Sequence, residues 1–141
     1  MEITCPHCAQ RNRVPVERIT QSPSCGKCHE PLLDAPLRAD ARTLPGLISQ
    51  PHLPVLVDFW APWCAPCRGF APTFAAAAAR YAGQVVFAKV DTEAEPSLGQ
   101  QYNIRAIPTL LAFVQGRESS RVSGALPGNE LDRLIRQMIQ G

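Results

Sequence analysis

The sequence predicts an α/β fold in which a mixed central sheet is flanked by helices, with a small cysteine-rich segment ahead of it. Three observations predict this. Beyond Gln50, apolar runs and helical periods follow the order strand–helix–strand–helix–strand–strand–helix; burying so many alternating elements calls for a mixed sheet covered on both faces. A Cys-x-x-Cys pair, Cys64/Cys67, stands where an apolar run gives way to a helical pattern. Two further pairs, Cys5/Cys8 and Cys25/Cys28, lie in a polar stretch rich in proline and glycine, without a long hydrophobic period.

The N-terminal segment comes first. Cys5-Pro6-His7-Cys8, sixteen residues, then Cys25-Gly26-Lys27-Cys28 fits a zinc ribbon or a pair of zinc knuckles. About thirty residues cannot bury enough apolar surface to fold alone, so a metal cross-link replaces the missing core. Disulfides or free thiols are the alternative. Gly26 is expected to supply a positive φ in its tight turn. Arg11, Arg13 and Lys27 are at hand to offset the charge of four thiolates. His7 and His29 adjoin cysteines but read as outside the ligand set, facing solvent or supporting the ligands. Glu30–Pro36 reads as a linker, dividing the chain into a zinc-binding segment (1–35) and a larger α/β domain (36–141).

Leu37–Gln50 is weakly patterned, a short strand and a poor helix interrupted by Pro45-Gly46. Pro54–Trp60 reads as a buried strand. Cys64–Tyr81 reads as a helix with Phe70, Phe74, Ala78 and Tyr81 on one face, kinked at Pro72. Val85–Asp91 is a second buried strand, and a short helix starts at Pro96, a residue suited to a first turn. Thr109–Val114 and Arg117–Ser123 flank Gln115-Gly116, a hairpin signal. Leu131, Leu134, Ile135, Met138 and Ile139 then follow a helical period.

Bulk properties exclude several classes. The 141 residues suffice for one compact domain with an appendage. Fourteen basic and twelve acidic residues leave a net charge of +2, without a basic stripe for nucleic acid or a polybasic patch for a membrane. Nothing approaches the ~18 consecutive apolar residues of a membrane span. The polar start Met1-Glu2-Ile3-Thr4-Cys5-Pro6 lacks an apolar signal core, so a cytoplasmic protein is expected. There, six cysteines point to metal or redox chemistry instead of structural disulfides.

Cys64/Cys67 is the chemical centre. A thiol at a helix start meets unpaired N–H groups and the positive end of the helix dipole, which favour the reactive thiolate. Asp58 lies inside an apolar strand, where an ionised carboxylate is costly and its pKa should rise. An inert buried acid or a partly solvated strand end remains open. Lys89, inside the next apolar strand, is either its charge partner or an outward-facing sheet lysine.

Four stretches resemble the thioredoxin family in the expected order: Val57-Asp58-Phe59-Trp60-Ala61, Phe87-Ala88-Lys89-Val90-Asp91, Arg105-Ala106-Ile107-Pro108-Thr109 and Gly124-Ala125-Leu126. The resemblance covers roughly residues 36 to 141, and the cysteine pairs in front are similar to those of the zinc-containing second thioredoxins of bacteria. It implies a thioredoxin fold and a protein-disulfide reductase working by dithiol–disulfide exchange, recycled by an NADPH-dependent thioredoxin reductase. Cys64 would be an exposed nucleophile and the more buried Cys67 would resolve the mixed disulfide. The resemblance further implies that Asp58 exchanges a proton with Cys67, with Lys89 nearby. Pro108 would be cis, where spacing alone would make it a trans loop proline. Trp63, Pro66, Ile107 and Gly124 would form an apolar docking patch for client proteins, with Trp60 packed behind it. One zinc per chain, no organic cofactor and a monomeric state complete the expectation. Ala65 stands where many thioredoxins have glycine between the cysteines. A thiol oxidase or isomerase of the same fold, or a zinc-dependent holdase, is the alternative; Ile107 before Pro108 counts against the first.

Overall fold

Residues 1–140 are described by a computed structural model. The main sheet has the order β3-β5-β4-β6-β7. Its strands are β3 (Leu37–Arg38), β4 (Val55–Trp60), β5 (Val86–Asp91), β6 (Thr109–Val114) and β7 (Arg117–Ser123). β3 and β4 run parallel to β5, while β6 runs antiparallel to both β4 and β7, so the sheet is mixed. Four helices cover it: α1 (Leu44–Ser49), α2 (Ala65–Arg80), α3 (Pro96–Gln101) and α4 (Gly128–Gln140).

Strand periodicity assigns the two faces. Val55, Val57, Phe59, Val86, Ala88, Val90, Leu111 and Phe113 pack with Leu44 and Leu47 of α1 and Leu98 of α3. Their neighbours Leu56, Phe87, Leu110 and Ala112 pack with Phe70, Phe74, Ala77 and Ala78 of α2 and with Leu131, Leu134, Ile135 and Met138 of α4. Ile139, which shares the helical period, is 40% exposed. Asp58 takes the α2 side by the same alternation, which brings an acid into an apolar layer.

Local chemistry explains the element ends. Pro45 does not interrupt α1; it lies in the first turn, where its missing N–H has no helical partner to lose. α2 continues through Pro72. The two-residue turn between β6 and β7 has φ of 52° at Gln115 and 78° at Gly116, the left-handed pair that a twisted hairpin needs. A Cβ on Gly116 would lie 3.1 Å from the Ser49 carbonyl oxygen, so glycine is required there twice over.

The N-terminal segment is more built than its polarity suggests. β1 (Glu2–Thr4) pairs antiparallel with β2 (Arg11–Arg13), and a 3₁₀ turn spans Val16–Gln21. Ile3, Val14, Ile19, Leu32 and Leu33 are buried in the same cluster as Leu37, Leu44 and Val57. Leu32 and Leu33 sit in the stretch read as a linker, yet are only 0% and 6% exposed. Scattered apolar residues without a period carry no sequence signal of their own; they become core by packing into the cluster of the main sheet.

Candidate active site and metal site

β4 ends at Trp60, and the chain turns through Pro62 and Trp63 into α2. Cys64 is the residue preceding that helix, with extended backbone (φ −84°, ψ 110°), and its Sγ accepts the Cys67 N–H at 3.2 Å. A sulfur thus occupies the place where a helix start usually takes a capping oxygen. Cys64 and Cys67 are joined by a disulfide across a Cα–Cα separation of 5.2 Å. The Arg68 guanidinium donates to the Pro62 carbonyl at 2.9 Å, tying the entry loop to the helix. The expected exposure of Cys64 does not hold in this oxidised form: Cys64 is 4% and Cys67 1% exposed, whereas neighbouring Trp63 is 67% exposed. Packing by Trp60, Ala61 and Ile107 covers the sulfurs, so position and not gross exposure distinguishes the two cysteines.

Asp58 and Lys89 stand side by side in β4 and β5. Asp58 is fully buried, and neither carboxylate oxygen has a hydrogen-bond partner among the described residues. Burial pushes its pKa up to about 7, against the opposing pull of the Lys89 charge. Lys89 makes no salt bridge to it. Its Nζ sits 4.3 Å from the centroid of the Trp60 ring, a cation–π contact that holds the half-buried ammonium near the acid without direct pairing. Trp60 is therefore more than packing: it seats the lysine. Both line a cleft of about 1040 Å³ that Thr4–Ala9 of the N-terminal segment also line.

The Ile107–Pro108 peptide bond is cis, and Pro108 is buried. The Ile107 carbonyl oxygen lies 3.8 Å from Cys64 Sγ. Gly124 has φ +97°, a conformation suited to glycine, and its N–H donates to the Pro108 carbonyl at 2.8 Å. Ile107 and Gly124 are half-buried, while Pro66 and Trp63 are exposed. The sequence reading overlooked Thr109, a buried hydroxyl beneath this loop. A threonine after an X-Pro pair carries no independent signal.

The other four cysteines converge. All four Sγ atoms lie within 4.8 Å of one another. Cys5–Cys28 and Cys8–Cys25 sulfurs are 3.7 and 3.6 Å apart, against the edge of about 3.8 Å for a tetrahedron with Zn–S bonds near 2.3 Å. The donor set and spacing therefore fit zinc. The two knuckles repeat one backbone pattern: Ala9 donates to the Cys5 carbonyl and His29 to the Cys25 carbonyl, each at 2.9 Å. Positive φ falls at Ala9 (67°) and His29 (65°), just after each pair, and not at Gly26 as expected. The His7 and Lys27 N–H groups donate to Cys5 and Cys25 sulfurs at 3.4 Å. Asn12, also unforeseen, links its amide to Cys25 Sγ and accepts the Gly26 N–H. His7 pairs with Asp34 at 2.7 Å instead of joining the cluster.

Known proteins share both parts. A family described as "Thioredoxin" matches residues 38–137, and one described as "Thioredoxin 2, N-terminal" matches residues 4–30. Thioredoxin C-3 of Corynebacterium nephridii is 44% identical over 141 residues, 99% of this chain and 97% of that protein. Thioredoxin 1 of Synechococcus elongatus is 47% identical over 61% of this chain and 84% of its own length. Among solved structures, a mutant thioredoxin from Halobacterium salinarum superposes with a TM-score of 0.70 at 30% identity, covering 76% of this chain and 93% of that one. No helix among the described residues is long and apolar enough to cross a membrane.

Proposed function

The chain belongs to the thioredoxin family, a family of protein-disulfide oxidoreductases, and from that premise we propose that it is a general reductase of client disulfides recycled by an NADPH-dependent thioredoxin reductase. The observation carrying the reading is the pair Cys64/Cys67 at the start of α2, facing the cis Ile107–Pro108 loop. The Cys64 thiolate attacks a client disulfide and forms a mixed disulfide, expelling the client's other sulfur as a thiolate. Cys67 then attacks Cys64 Sγ and releases the reduced client, leaving the Cys64–Cys67 disulfide. Asp58 accepts the Cys67 proton, and Lys89 moderates the acid's pKa. Trp63, Pro66, Ile107 and Gly124 form the docking patch, and the protein works as a monomer in a reducing compartment such as the cytoplasm. Reduction of insulin disulfides tests this: wild type is active and a Cys64→Ser/Cys67→Ser variant is inert. A variant that keeps all its anti-aggregation activity while the wild type reduces nothing would instead support a zinc-dependent holdase.

Cys5, Cys8, Cys25 and Cys28 would hold one zinc ion, which supplies a structural cross-link and takes no part in the exchange. Residues 36–141 form a unit that folds without it. A truncation starting at Leu37 is expected to remain folded and active, because β3–β7 and α1–α4 lie within it. Its melting temperature falls, since Leu37, Ala39 and Leu44 lose the cover of Ile3, Val14 and Leu32. Exposing that much apolar surface costs several kcal/mol, at ~25 cal/mol per Å². Metal analysis should find one zinc in the full chain and none in the truncation. Zinc-free native protein would refute the site, and an unfolded truncation would refute the division.

A further inference from the structure

The loop that faces the redox pair is held from below by a chain of two hydroxyls. Thr109 Oγ1 lies 2.5 Å from the Ala106 carbonyl oxygen and 3.2 Å from Ser123 Oγ. A hydroxyl has one proton, and a carbonyl can only accept. The Thr109 proton is therefore committed to Ala106, and Ser123 must donate to Thr109. The direction is fixed: Ser123 to Thr109 to the Ala106 carbonyl. Thr109 and Ser123 are partners in the β6–β7 register, which places their side chains on the same face of the sheet. On the other side of Ile107, the Gly124 N–H holds the Pro108 carbonyl at 2.8 Å. The carbonyls flanking Ile107 are thus both anchored, while the Ile107 N–H donates to no acceptor among the described residues.

We propose that Ser123 and Thr109 form a hydroxyl relay that presents the Ile107 backbone to an extended client strand, making both of them positioning residues for protein substrates. The proposal rests on the reductase reading and on docking at Ile107. An unpaired N–H on a half-buried loop is useful to a client only if the loop does not rotate, because strand addition depends on aligned backbone groups. The buried Thr109 hydroxyl supplies that restraint, and Ser123 donates to one of its lone pairs. Ser123 itself is exposed beside Gly124, so its replacement leaves the core untouched.

The test is steady-state kinetics of Thr109→Val, Thr109→Ser and Ser123→Ala on two substrates, with thermal melts alongside. Insulin offers an extended chain; 5,5′-dithiobis(2-nitrobenzoate) has no backbone to pair. Loss of one hydrogen bond predicts that Thr109→Val raises KM for insulin roughly five-fold, and Ser123→Ala roughly two- to three-fold, with kcat little changed. Thr109→Ser restores the KM. The aromatic disulfide responds much less than insulin in every variant. Equal losses on both substrates, or an unmoved insulin KM, would overturn the relay and leave only a structural hydroxyl. If Thr109→Val fails to fold, Ser123→Ala decides alone. A wild type that does not reduce insulin removes the underlying reading and the relay with it, which separates that failure from an insensitive KM in an active enzyme.

Discussion

Asp58→Asn is expected to be more stable than the wild type at pH 8, by about 2–4 kcal/mol, and to lose that advantage below pH 4. The acid ionises near pH 7 in the folded protein, against an ordinary 3.8. As pH rises above 3.8, the unfolded chain sheds this proton while the native state keeps it. The native state then binds more protons, so stability falls as pH rises through about 7, above which both states are ionised and the penalty is complete. The shift corresponds to about 4 kcal/mol at most. Asparagine cannot ionise, yet it leaves its own polar atoms in a pocket without partners, which trims the gain. Denaturant titrations at pH 4 and pH 8 check the sign; an equal gain at both would mean repacking and not charge. The same change should slow reduction roughly ten- to a hundred-fold at neutral pH, the scale of losing a positioned base. It should also flatten the fall in wild-type rate below pH 7. A variant that is less stable and fully active would remove Asp58 from the mechanism.

Cys67→Ser is expected to accumulate covalent complexes with client proteins, whereas Cys64→Ser traps few or none, and both lose turnover. The reason is placement. Cys64 stands ahead of the first turn of α2, accepts the Cys67 N–H at 3.2 Å and borders the exposed Trp63. Helix-end N–H groups therefore stabilise negative charge on this sulfur once the disulfide is reduced. Cys67 lies within the turn and is 1% exposed. The first sulfur lies 3.8 Å from the Ile107 carbonyl of the docking loop, and the second lies one turn into the helix, where it can discharge the intermediate. Mass spectrometry of captured complexes should find the client linked through Cys64, released by added thiol. Equal trapping by both variants would show that the roles are not divided by position.

Much of this molecule was decided by local pattern. β4, β5 and β6 follow from apolar runs, and β7 from the hairpin signal Gln115-Gly116 that turns the chain back along β6. Such elements are legible because one face must meet a core, and the period of the chain records which face. The same holds for the cysteine pairs, whose spacing permits convergence on one ion or closure of one small ring. An acid inside an apolar strand was also legible at Asp58, while its full burial, against a partly solvated strand end, was decided by the fold. What sequence alone left open depends on partners far along the chain. Lys89 acts on Asp58 through its charge without a direct salt bridge and rests on Trp60, an arrangement set by the side-by-side register of β4 and β5. Leu32 and Leu33 are core, and not linker, because they join the buried cluster that holds Leu37, Leu44 and Val57. The cis bond before Pro108 was implied by resemblance alone, and the hydroxyls of Thr109 and Ser123 meet only when β6 and β7 pair. Periodicity reports burial, which each residue's neighbours along the chain encode; contact between distant side chains has no local signature, so only the folded chain could assign it.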